Sequence, residues 1–202
     1  MPKCEPMRYD AKKIAGFLLF AGAAQFVLGA ILAEALDSSY SFGQPLMFLG
    51  AGPAAGVFNL SLFLLGAFCA ASAYFVYRAF GSFVFFILLG VTGVAFAGVS
   101  VFSENLGLTH VVLVRTFMIF AVPTTISSFK FQKSPFSFVS VALGLIILVA
   151  VILFLSGAYV SPNFLLGLSR GAMQRMIIYP LLLWMLGFGA YLTGPGLSAT
   201  AK

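Results

Sequence analysis

The chain has 202 residues, of which 61% are hydrophobic and only 8% charged, with 24 phenylalanines and a formal net charge of +6. Its mean hydropathy is +1.09. This excludes a water-soluble domain, whose apolar share is near half, and predicts one polytopic membrane domain over residues 1–202 with no room for a second globular one.

Six apolar runs reach the roughly 20 residues with which a helix crosses a bilayer. The first, 14–36, follows the basic segment MPKCEPMRYDAKK and contains Gln25, expected to bond between helices. Its Ala33-Glu34-Ala35 matches a signal-peptidase pattern, but the apolar run before it is longer than the core of a signal peptide. An uncleaved span is therefore expected. The turn DSSYSFGQP, with Asp37, leads to a second span at 54–78 that holds Asn59 near its start. Gly66, Ala70 and Ala73 share one face of that span. Gly90, Gly93 and Ala97 do the same in the third, 82–102, while Gly22 and Gly29 of the first are seven apart. Small residues at these spacings let helices approach closely in lipid.

The fourth span, 109–129, opens with His110 and Arg115 after the turn SENLG, which carries Glu104. The fifth, 136–158, follows KFQKSP. The sixth, 173–194, follows YVSPN and the segment SRGAMQR, with Arg170, Gln174 and Arg175. Period-2 alternation is missing throughout, so an all-α six-transmembrane-helix bundle is predicted rather than a barrel.

Charge orients this bundle. With six spans, Lys3, Arg8, Lys12, Lys13, Arg78, Lys130, Lys133 and Lys202 share one side with Glu5 and Asp10, a net of +6. The positive-inside rule places that side, and both the N- and C-termini, in the cytoplasm. The whole formal charge is thus a topology signal for a multi-pass cell-membrane protein, and no nucleic-acid partner is implied.

The other six charges, Glu34, Asp37, Glu104, Arg115, Arg170 and Arg175, gather at the outer junctions and sum to zero. Arginines there oppose the topology bias and need solvent or a partner. Arg115 lies about 9 Å into its helix, where a charge costs on the order of 3 kcal/mol and turns to the bundle interior or a wet cavity. The expectation is a polar vestibule in which acids neutralise arginines across helix tops, with Asn59 and Gln174 adding hydrogen bonds. Arg170 and Gln174 share a face if the helix starts early enough. His110 and Arg115 project about 140° apart, which argues against both pointing squarely into one narrow pocket.

The outer residues carry a resemblance. The stretches GAAQFVLGAILAEALDSSYSFGQPLMFLGAGPAAGVFNLSLFLLG, GVSVFSENLGLTH and GLSRGAMQRMIIYPLLLWMLGFGAYL resemble the prokaryotic membrane family called domain of unknown function 998. The resemblance implies a six-helix bundle with polar groups at one membrane face, and it brings no activity. SRGAMQR departs from the family in lacking an acidic residue just before its arginines.

Metal and cofactor chemistry find little footing. One histidine and two distant cysteines, Cys4 and Cys69, make neither a zinc site nor a disulfide framework. A Ser38–His110–Asp37 arrangement lacks a nucleophile elbow. A cysteine–arginine transamidase would pair Cys69 with Arg115 and an arginine of the last segment, residues at different depths. Three readings remain for Glu34, Asp37, Asn59, Glu104, His110, Arg115, Arg170, Gln174 and Arg175. They hold an anionic lipid, lipid-linked group or small ligand. Alternatively, His110 or Glu104 performs acid–base chemistry on a lipid headgroup. The third reading is a salt-bridge network that binds nothing.

Overall fold

The computed structural model describes residues 10–102 and 107–194. Lys3, Cys4, Glu5, Arg8, Glu104 and Lys202, and the inferences placed on them, lie outside the described residues. The fold is all-α. Its long helices are α1 (Ala11–Leu36), α2 (Ala55–Phe80), α3 (Phe83–Val101), α4 (Leu108–Ser127), α5 (Phe136–Tyr159) and α6 (Arg170–Thr193). All six are long and apolar enough to cross a membrane, as expected of a multi-pass membrane protein.

The helices depart from the predicted spans by a few residues, for reasons that lie in their caps. Asp10 accepts a hydrogen bond from the Lys12 amide, so α1 starts at Ala11 rather than residue 14. Ser169 accepts from the Ala172 amide and starts α6 at Arg170, three residues early. This cap matters for function, because it puts Arg170 and Gln174 on one helical face. Gly81, at φ 70°, ends α2 in the left-handed conformation that glycine adopts without cost. Arg78 consequently stays inside the helix, where it donates to the Tyr74 hydroxyl.

Each helix packs on its neighbours in sequence, and α6 closes the ring onto α1. Burial is uneven around the ring: 56% of the α6 span window is buried against 28% of that of α5. α6 is thus the most enclosed helix and α5 the most exposed. Trp184 and Phe188 of α6 stack at 5.4 Å, Phe85 of α3 meets Phe188 edge-on, and the Trp184 indole donates to Ser128 Oγ at 2.8 Å.

The small residues act as their spacing predicted, most clearly between α2 and α3. A methyl group placed on Gly93 would sit 2.5 Å from the Ala70 amide nitrogen and 2.8 Å from the Gly66 carbonyl. Backbone meets backbone here, which lipid packing rewards through dispersion and weak hydrogen bonds. Gly29 lies against Ser61 and Gly22 against Phe68, joining α1 to α2. Gln25 strengthens the same seam by donating to the Ser61 carbonyl at 2.9 Å. Gly90 is less constrained, with only Ala73 Cβ near it. Gly16 and Gly189, outside these spaced sets, bring α1 and α6 into backbone contact.

Side-chain contacts define two polar faces. At one, Lys12 lies over the Tyr191 ring, the Lys133 amide donates to the Tyr191 hydroxyl, and Phe80 packs on Phe131. This basic face gathers the ends of α2, α4 and α6 with the starts of α1, α3 and α5. The opposite, far face carries Glu34, Asp37, Arg170 and Arg175.

Candidate functional site

The residues predicted to form one vestibule fall into separate settings at the far face. Loop 37–45 enters from α1, and the 3-10 turn Leu46–Gly50 carries the chain towards α2. Two hydrogen bonds seat this segment on the start of α6. The Gly171 amide donates to the Gly43 carbonyl, and the Leu46 amide donates to Gln174 Oε1 at 2.7 Å. Gly171 has no room for a side chain against the Gln44 carbonyl.

The first setting is a clamp around Arg175, which is only 3% exposed. Its Nη2 donates to Glu34 Oε1 at 2.9 Å and to the Tyr40 hydroxyl at 2.6 Å. Nη1 donates to the Phe42 and Gln44 carbonyls, and the guanidinium lies 4.1 Å from the Phe42 ring centroid. Burial pushes the Tyr40 phenol above its ordinary range, against the opposing hydrogen bond from Arg175. The phenol therefore stays protonated at neutral pH and donates to the Gln44 carbonyl. Glu34 is the partner that the absence of an acid in SRGAMQR left open. A guanidinium so enclosed is a structural tie, with only its Nε lacking a partner among the described residues.

Asp37 and Asn59 serve the backbone. Asp37 accepts from the Ser39 amide and hydroxyl, closing the turn after α1. It pairs with no arginine among the described residues. Asn59 donates to the Gly50 carbonyl and ends the 3-10 turn. Neither joins the hydrogen-bonded network of Arg175.

The second setting is a cavity of about 240 Å³ between α4, α5 and α6, into which His110, Arg115, Arg170 and Gln174 converge. Met47, Phe48, Val114 and Phe154 contribute apolar walls. His110 and Arg115 both line it without sharing a direction, in keeping with their angular separation. α4 offers the cavity a broad arc that also includes Val111 and Val114, and the two polar residues stand at its edges. The Arg115 guanidinium lies over the Tyr159 ring at 4.6 Å, which steadies the charge at the end of α5. Arg170 is exposed at the α6 start and reaches the same space.

Two hydrogen bonds set the chemistry of the neutral groups. His110 Nδ1 lies 2.8 Å from the Phe102 carbonyl. A carbonyl only accepts, so Nδ1 carries the proton and Nε2 presents a lone pair in the neutral ring. Gln174 must turn its oxygen to the Leu46 amide, which assigns the other end of the side chain as its NH2 donor. The cavity therefore combines two guanidinium groups, one amide and one imidazole. It holds no acidic side chain among the described residues.

Other chemistries find no such convergence. Cys69 is buried with Sγ 3.5 Å from the Leu89 carbonyl in the α2–α3 seam, apart from every arginine above. Asp37 and His110 bond separate backbone groups and form no relay. Among the described residues no three His, Cys, Asp or Glu side chains gather as metal ligands.

Tyr40, Phe42 and Tyr159 are partners that sequence reasoning missed. The aromatic content of YSFGQP was visible, but main-chain carbonyls as arginine acceptors leave no mark in residue identity. Compared with protein-family models, curated proteins and solved structures, the chain matches none. The resemblance to the domain of unknown function 998 accordingly rests on the quoted stretches alone.

Proposed function

We propose that the cavity between α4, α5 and α6 binds the anionic headgroup of a lipid or lipid-linked ligand, on the extracytoplasmic side of the cell membrane. The observation that carries this reading is the convergence of Arg115, Arg170, His110 and Gln174 on one space of headgroup size. Guanidinium groups bind phosphate and carboxylate oxygens through charge-assisted hydrogen bonds, and the surrounding apolar walls raise their strength. The excess of basic residues on the opposite face supports the orientation.

Native mass spectrometry of the gently extracted protein tests this directly. A phosphate- or carboxylate-headed lipid is expected to stay bound, and Arg115→Gln with Arg170→Gln to weaken its retention by roughly 100-fold, two charge-assisted bonds at about 1.5 kcal/mol each. Retention unchanged in the double variant would sink the proposal.

A second reading, acid–base chemistry on the bound headgroup, draws on the single tautomer that the Phe102 carbonyl imposes on His110. The two separate at one substitution. His110→Ala leaves lipid affinity within about twofold if the site only binds, whereas in an enzyme it removes turnover while affinity persists.

A further inference from the structure

A groove of about 400 Å³ runs between α1 and α6, separate from the cavity of the arginines. Val27, Ala30 and Ile31 line it from α1, and Leu183 and Leu186 from α6; Glu34 and Tyr179 stand at its head. Its origin is the packing of the two helices. Gly16 and Gly189 hold them in backbone contact near the basic face, where a methyl on Gly16 would lie 2.5 Å from the Gly189 carbonyl. Larger side chains occupy the seam towards the far face, and a wedge is left open there.

Three features say what fills the wedge. First, its walls are apolar and its accessible rim, Ile31 and Leu183, is 59% and 58% exposed, so it opens sideways to the acyl region. Second, the polar group sits at headgroup depth. Glu34 is two residues from the end of α1, and Val27 lies about 10 Å deeper at 1.5 Å per residue. Third, the head of the groove is an acceptor. Both terminal nitrogens of Arg175 are taken by Glu34 Oε1, Tyr40 and two carbonyls, and its Nε is buried. Glu34 is 34% exposed, and its Oε2 accepts no hydrogen bond from any described residue. A partly dehydrated carboxylate oxygen is best matched by a charged N–H donor.

We infer that this groove holds one chain of a lipid whose headgroup carries a primary ammonium, with the ammonium donating to Glu34 Oε2. The group recognised here, an ammonium, is opposite in charge to the anionic group proposed for the arginine cavity, and the two sites fail or stand independently.

The test is competitive retention in native mass spectrometry of the full chain. The probes are phosphatidylethanolamine and phosphatidylcholine with identical acyl chains, since N-trimethylation removes every N–H donor. Wild type is expected to retain the ethanolamine lipid roughly tenfold better, the worth of one charge-assisted hydrogen bond. Glu34→Gln brings the ratio close to one. Ala30→Phe fills the wedge without touching the Arg175 clamp and removes the preference; Ile31→Trp, at a lipid-facing position, does the same if Ala30→Phe does not fold. Arg115→Gln with Arg170→Gln, which empties the arginine cavity, leaves the ethanolamine preference in place. Equal retention of both lipids by wild type overturns the inference. So does a preference that survives a folded groove-filling variant, or a dimer cross-linked through Ile31 and Leu183 that shows a second copy in the groove.

Discussion

Arg175→Ala is expected to lower the thermal midpoint of the detergent-solubilised protein by about 10 °C, corresponding to about 4 kcal/mol. The guanidinium is 3% exposed and donates to four groups drawn from α1 and loop 37–45. Alanine leaves the Phe42 carbonyl and Glu34 Oε1 without that donor and opens a void beneath the Phe42 ring. The loop then loses its anchor to α6, so protease cleavage between Asp37 and Gln44 should rise in parallel. Tyr40→Phe removes a single hydroxyl from the same clamp and should cost only about 1 kcal/mol. A midpoint for Arg175→Ala within 2 °C of wild type, read by intrinsic fluorescence in one detergent (the ~2 °C being about 1 kcal/mol at this size), would show that the clamp contributes little. A residue that binds ligand at the expense of stability should yield a more stable protein when removed, whereas a structural tie should yield a weaker one.

Gly93→Leu should be the most damaging single change within the spans, costing about 3 kcal/mol or more and lowering the yield of monodisperse protein. Its Cβ alone would meet the Ala70 amide nitrogen at 2.5 Å and the Gly66 carbonyl at 2.8 Å, both backbone atoms that no rotamer change can move. α3 would have to leave α2 along the whole seam, taking the Cys69 contact to Leu89 with it. Gly187→Ala provides the contrast. It lies in α6 with nothing within 4 Å of the added methyl, and alanine is the better helix former by about 0.5–1 kcal/mol. It should fold as well as wild type or better. If both variants behaved alike in size-exclusion and thermal assays, glycine's role would be conformational rather than steric.

The separation of clamp and cavity also bears on how the two proposed ligands would be told apart. Glu34 holds the clamp through Oε1 and also lines the α1–α6 groove. Gln174 likewise holds Leu46 by its oxygen and faces the arginine cavity. Each of the two residues thus combines a structural bond with a place in the wall of a groove or cavity. Substitution at Arg115 or Arg170 is therefore a cleaner probe of binding than substitution at Gln174 or Glu34.

Much of this molecule was legible in its residues. Six apolar runs become six helices because a backbone in lipid must bond internally, and only the helix does so within one segment. Their ends shifted by up to three residues where Asp10 and Ser169 capped them, a local effect written in side chains that were visible but unused. The α2–α3 seam was readable because small residues at fixed spacing have few other uses in a span. The far-face charges were readable as a group because charge is scarce in this chain and every instance needs a partner or water.

What the residue order could not supply was the pairing among those charges. Glu34 meets Arg175 across 141 positions, and Arg115 meets the ring of Tyr159. The choice between Glu34 and Asp37 as partner depended on loop 37–45 folding back over α6 through carbonyl contacts that no side chain announces. Angular spacing placed His110 and Arg115 apart on α4 correctly, yet the tertiary packing gave them one cavity by setting α5 and α6 opposite a wide arc. THVVLVRT and SRGAMQR thus determined that polar groups would collect at one end of the bundle, through the cost of charge among apolar spans. Only the tertiary packing decided which of them are tied up in structure, through α1 and loop 37–45 closing on Arg175, and which converge on open space between α4, α5 and α6.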